Sequence, residues 1–205
     1  MIALAKAAGK APLYIVHVSA KESVDLIREA RKAGDTVFGE TCPQYLVLDE
    51  SRYDDPEEGL KFILSPPLRA KEHQAAIWEG IKDGTLQVIA TDHCSFDYHG
   101  DKQNGKDDFT KCPNGAPGVE TRMPIVFSEG VSKGRMSLNK FAAVTSTNPA
   151  KIFGMYPKKG VLAVGSDADI VLMNPDMEVT ITKNILHENV DYTPYEGIKV
   201  KGWTV

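Results

Sequence analysis

Short apolar runs and helical stretches alternate through the first 90 residues, and this alternation constrains the fold more than any other feature of the chain. The segment Met1–Gly9 reads as the last turns of an amphipathic helix closed by glycine. The run Leu13–Val18 follows, then a helix from Ala20 to Lys32 with Val24, Leu26, Ile27 and Ala30 on its apolar face and Gly34 as its stop. A second run, Thr36–Gly39, delivers Glu40-Thr41-Cys42-Pro43. An irregular stretch leads past Leu60–Ser65 and the breaker Pro66-Pro67 to a helix over Lys71–Lys82, and Asp83-Gly84 turns the chain into the run Leu86–Ala90. Strands separated by single helices imply right-handed crossovers and a parallel sheet, so the fold class is α/β.

The run Leu86–Ala90 stops abruptly at Thr91-Asp92-His93-Cys94, and Leu13–Val18 carries His17 near its end. Asp92 and His93 cannot continue a buried strand cheaply, because an unpaired charge in a core is expensive. A histidine at a strand end is commonly structural when it stands alone, and an aspartate there is a common turn former. The pairing matters more. Strands two apart in a parallel barrel aim their C-terminal ends at one mouth, and an imidazole meeting a carboxylate there suits Zn²⁺ or a similar ion. A catalytic zinc needs three protein ligands plus water, so this pair is short of a set. His73, beside Lys71 and Glu72, reads as a solvated helix face, His99 as part of a polar loop and His187 as part of a β-rich tail. His93 suits a wall or support behind the ligands. Glu40 could orient a ligand or sit as a charge at a helix N-terminus.

From Asp92 to Gly118 the chain is rich in Asp, Gly, Asn, Lys and Pro, and its most polar part, Asp101–Asp108, is expected to be solvated. Helical patterns resume at Thr121–Val131, at Ser137–Thr145 with Ser137 as N-cap, and at Asn148–Phe153. After Gly154 the character changes to glycine turns and β-rich sequence, and Met177–Thr182 alternates like a half-exposed antiparallel strand. A domain change near 155 divides the chain into 1–155 and 156–205.

Composition excludes several classes. The net charge of −4 leaves no basic footprint for nucleic acid, and no apolar run approaches a membrane span. Cys42, Cys94 and Cys112 are odd in number and form no Cys-x-x-Cys pair, which points to plain thiols in a reducing, cytoplasmic compartment, with Cys94 the one nearest a site.

Five segments carry a family resemblance by their order: Tyr14–Ser19, Gly39–Tyr45, Ser65–Arg69, Thr91–Phe96 and Pro113–Arg122. As a set they resemble the D-hydantoinases and dihydropyrimidinases, the cyclic-amidase branch of the amidohydrolase superfamily. The tail Gly165–Val171 is similar to the superfamily's return into its β-sandwich domain. The resemblance implies a (β/α)₈ barrel over 1–155, here its C-terminal portion, followed by part of a small β-sandwich over 156–205. It implies two divalent ions, usually Zn²⁺, bridged by a carboxylated lysine and a hydroxide. His17 matches the family's last histidine ligand, and Asp92 matches the aspartate that binds metal and shuttles the proton. Ser65 and Asn114 match positions whose main chain binds the ring of a small cyclic amide.

No His-x-His occurs in these residues, so the chain reads as a fragment carrying about half a barrel, one that binds metal weakly and is inactive alone. A fragment of this kind would expose strand edges and associate, and the family commonly forms homotetramers. Two further readings share the fold: a non-catalytic oligomeric scaffold like the collapsin-response-mediator proteins, and an allantoinase or dihydroorotase. Retention of His17 and Asp92 weighs against the scaffold.

Overall fold

The computed structural model describes residues 1–205. Strands β1 (Leu13–Ile15), β2 (Val37–Thr41) and β3 (Val88–Ile89) form one parallel sheet in the order β1-β2-β3. Leu13 lies opposite Val37, and Thr41 opposite Ile89. Helix α1 (Ile2–Ala7) precedes β1 and α2 (Lys21–Lys32) joins it to β2. The β2–β3 connection holds α3 (Gln44–Val47), two 3₁₀ turns and α4 (Glu72–Asp83). The alternating pattern thus becomes the parallel sheet that it predicts.

Burial runs unevenly across this sheet. Both residues of β3 are buried, β2 alternates between buried and half-buried, and β1 is half-buried throughout. Helices α2 and α4 pack side by side, with Val24, Ile27 and Ala30 of one and Ile77, Gly80 and Ile81 of the other buried. Leu26 departs from the expected apolar face. It is 58% exposed and lines a shallow groove with Met1 and Ile2. The buried stripe advances in steps of three, 24–27–30, and Leu26 sits about a quarter-turn off its centre.

The loop from Asp92 to Gly118 also differs from expectation. It contains 3₁₀ turns at Lys102–Gly105 and Phe109–Lys111, and Lys102, placed by sequence in a solvated tip, is wholly buried. Irregular backbone has carbonyls to satisfy, and a lysine folded inward can satisfy them.

Helix α5 (Arg122–Val126) runs into a π-helical turn, Phe127–Ser132, and α6 (Leu138–Ala142) into another, Ala143–Thr147, before α7 (Asn148–Ile152). Ser137 caps α6 as its sequence position predicts, its hydroxyl accepting from Lys140 N at 3.1 Å. In the tail, β4 (Met173–Thr180) pairs antiparallel with β5 (Lys199–Thr204). Lys201 N donates to Ser128 Oγ (3.0 Å) and Ser132 Oγ donates to Lys201 O (3.1 Å), which seats β5 against the first π turn. Ile181, Tyr195 and Val200 join the same 27-residue core as the residues of α2 and α4. No helix is long and apolar enough to cross a membrane.

Helix α4 meets α2 closely at Gly80, where a Cβ would lie 2.8 Å from Val24 Cγ1 and 3.3 Å from Leu86 Cγ. Gly80→Ala is therefore expected to destabilise the chain by about 1–3 kcal/mol through overpacking. Urea denaturation reads the change, and adding Val24→Ala should recover part of it; no loss in the single variant would show that the contact is looser than described.

Candidate active site

Two residues outside glycine turns and the N-terminal helix end stand on left-handed backbone: His17 at φ 39° and Asp92 at φ 51°. They sit just beyond β1 and β3, on either side of β2. Such backbone is strained for a non-glycine residue and persists only where surrounding bonds hold it. Those bonds are visible. After β1 stops at Ile15 the chain steps out at Val16 and His17, then rejoins β2 through Val18 N to Glu40 O at 2.7 Å. Thr41 Oγ1 donates to Val18 O at 2.8 Å, and Thr41 O accepts from Ala90 N at 2.9 Å. Thr41, with no exposed surface, therefore fixes the backbone beside both His17 and Asp92.

A second layer holds the Asp92 turn. Gln44 Nε2 donates to Thr91 O at 3.4 Å, and its Oε1 accepts from the buried Tyr195 hydroxyl at 3.3 Å. Arg122 Nη1 donates to Ile89 O at 3.0 Å and to Thr145 O at 3.3 Å, tying the end of β3 to the second π turn. Burial lowers the Arg122 pKa, with Cys42 and Glu40 acting the other way. Burial, then the Glu40 and Asp92 carboxylates, push the Cys42 thiol well above its usual range and leave it protonated at neutral pH.

The histidines divide cleanly. His73 Nδ1 accepts from Lys21 N at 3.0 Å, so it caps the start of α2 and is not a simply solvated group. His93 Nδ1 accepts from Gly118 N (3.1 Å) and Val119 N (3.3 Å) and lies 3.9 Å from Glu188 Oε1, pinning the two ends of the long loop together. His99 lies 2.7 Å from Asp191 Oδ2, and His187 2.8 Å from Glu120 Oε1. Of the five histidines, only His17 takes no such partner. Glu40 is engaged as well, accepting from the Tyr14 hydroxyl at 2.5 Å. Burial and this bond raise the Tyr14 pKa far above its ordinary value.

Ser65 and Asn114 are both exposed and belong to adjoining segments. Gly115 N donates to Ile63 O at 3.1 Å, and Lys102 Nζ donates to Ile63 O and to Pro113 O, each at 2.7 Å. Sequence reasoning found neither Lys102 nor the Gln44–Tyr195 support. A lysine in a polar tract carries no local signal of burial, and Gln44 and Tyr195 are 151 positions apart.

His17 and Asp92 offer an imidazole nitrogen and a carboxylate, donors that suit a borderline divalent ion, and His17 is free to use its ring. No group of three or more His, Cys, Asp or Glu side chains converges within the chain, so these two fit a metal only as part of a larger donor set.

Thr41→Val removes the hydroxyl at nearly constant shape and leaves Val18 O without its donor. It should destabilise the chain by about 1–3 kcal/mol, the usual loss for a buried unsatisfied group. Chemical denaturation checks this, and an unchanged midpoint would mean that the strand ends do not depend on this bond.

A family model described as "Amidohydrolase family" matches residues 13–205. The chain is 53% identical over 191 residues to a D-hydantoinase of Geobacillus stearothermophilus, covering 93% of this chain and 41% of that protein. It is 52% identical over 202 residues to a D-phenylhydantoinase of Escherichia coli O1:K1, covering 98% of this chain and 44% of the relative. The crystal structure of a dihydropyrimidinase from Brevibacillus agri NCHU1002 superposes with a TM-score of 0.97 at 53% identity, over all of this chain and 44% of that one. The chain thus spans about two fifths of the length of the curated relatives it matches. With parallel strands, crossover helices and a family match over nearly its whole length, the chain belongs to the amidohydrolase family.

Proposed function

We propose that the protein carrying this chain opens cyclic amides, dihydropyrimidines and 5-substituted hydantoins, by hydrolysis. The observation that carries this reading is the pair His17 and Asp92, both on left-handed backbone at the ends of strands flanking β2, with His17 free of any other partner. The names of the relatives support the substrate class.

In this reading His17 and Asp92 are metal ligands, and residues outside these 205 complete a two-ion site, Zn²⁺ by the chemistry of the donors. When bound, the ions supply hydroxide near neutral pH and an electrophile for the carbonyl oxygen. Asp92 accepts the proton of the attacking water as the C–O bond forms, then returns it to the ring nitrogen as the C–N bond breaks. Its turn, held through Gln44 and Arg122, keeps the carboxylate in place between those two acts. Ser65 and Asn114 bind the ring through their main chain, while His93 braces the loop that follows Asp92. Residues 1–155 then form the C-terminal portion of a (β/α)₈ barrel and 156–205 part of a β-sandwich. Exposed Val16, Leu162 and Val164 support association with further protein surface, as in a homo-oligomer, and the three free thiols fit the cytoplasm.

Asp92→Asn in the complete protein should lower kcat by about 10²–10⁴, the usual share of a proton-transfer group, with hydantoin and dihydrouracil as substrates. His17→Ala should lower bound zinc, measured by elemental analysis. Near-normal turnover by Asp92→Asn would refute its role as proton shuttle. The 205-residue chain alone supplies two donors and is expected to open neither ring; turnover by it would show a complete site that the donor count denies.

A further inference from the structure

Lys102 is the only buried lysine of the chain, with no solvent exposure, and it forms no ion pair. Burial lowers its pKa, and the groups acting against that shift are thiols rather than carboxylates. An ammonium buried with no counter-charge is costly to desolvate, and only its hydrogen bonds offset that cost here. What the ammonium does is join two segments: both its bonds, to Ile63 O and Pro113 O, run to main-chain carbonyls at 2.7 Å. Ile63 O also accepts from Gly115 N at 3.1 Å, so one carbonyl ties Lys102 and Gly115 together. Ile63 precedes Ser65 by two positions, and Pro113 immediately precedes Asn114. The fit leaves little slack, since a Cβ on Gly115, at φ 147°, would lie 2.4 Å from Cys94 O.

We propose that Lys102 is a positioning residue for substrate. Its ammonium sets the spacing between the Ser65 and Asn114 main-chain groups and polarises the Pro113–Asn114 peptide, making the Asn114 N–H a stronger donor to a carbonyl oxygen of the cyclic amide. A cation bonded to a peptide carbonyl strengthens the N–H of the same peptide by mutual polarisation. The inference rests on the reading of Ser65 and Asn114 as substrate-facing.

The test compares Lys102→Met and Asn114→Pro in the complete, metal-loaded protein. Lys102→Met keeps the length of the side chain without its charge, and Asn114→Pro deletes the N–H itself. Hydantoin kinetics, zinc content and amide hydrogen exchange over residues 63–65 and 113–115 are the readouts. We expect Lys102→Met to raise KM about tenfold, the equivalent of one hydrogen bond, with kcat much less affected, zinc retained and exchange faster in both segments. A raised KM in Asn114→Pro with no change in Lys102→Met overturns the role of Lys102 alone. No change in either variant overturns the substrate-facing reading and this inference with it. Parallel loss of zinc and kcat in Lys102→Met shows a general structural part and also overturns the proposal. If Lys102→Met does not fold, Lys102→Gln, which keeps an amide donor, should give an intermediate KM, and a wild-type KM in it would refute the need for the ammonium.

Discussion

At the sheet's C-terminal end Thr41 ties together the two strand ends that flank β2. Its main-chain carbonyl holds Ala90, its hydroxyl holds Val18, and the residue itself has no exposed surface. The two flanking strand ends are therefore not independent loops but branches of one hydrogen-bonded junction. Each branch carries a residue on left-handed backbone, at a penalty of about 1–3 kcal/mol apiece. A junction of buried, well-aligned bonds can absorb that penalty where a solvated loop would relax it. The strain at His17 and Asp92 is thus a consequence of how tightly their neighbours are fixed, and it turns both side chains out of the pleat that the strands would otherwise impose.

Beyond the junction the site is supported mostly by polar side chains bonded to main-chain carbonyls rather than by ion pairs. Arg122 bonds Ile89 and Thr145, Lys102 bonds Ile63 and Pro113, and Gln44 bonds Thr91. This pattern has a physical logic. Strand ends and irregular loops present carbonyls that no ladder satisfies, and a buried donor with several hydrogens can answer two at once. Carboxylates near the mouth then stay uncommitted to lysine or arginine, which leaves Asp92 available for metal and proton chemistry in the reading proposed here.

The sequence made the main outlines legible because they rest on local pattern. Alternating runs specified the parallel sheet, Ser137 marked a helix start, and the abrupt polar turn after Ala90 marked a strand end. What escaped depends on distance. Nothing near Lys102 distinguishes it from the exposed Lys106 and Lys111, because its burial is decided by Ile63, far away in sequence. Leu26 looked like core on helical spacing, but the buried stripe of α2 runs through Val24, Ile27 and Ala30 and leaves it exposed. His73 looked solvated because its acceptor role toward Lys21 lies 52 positions off. The apolar run Leu13–Val18 overstated β1, since composition cannot show that the backbone turns left-handed at His17.

Burial across the sheet gives these observations a direction. β3 is covered, β2 alternates, and β1 is half-buried, with Val16 44% exposed just before His17. Asp92 stands where Gln44, Arg122 and Tyr195 surround the backbone, whereas His17 stands at the edge where the sheet offers unpaired main chain and half-buried Tyr14. Parallel strands gain their coverage from neighbours on both sides. In the proposed reading, this open edge, with Val16 exposed beside His17, is where further protein surface would meet the sheet.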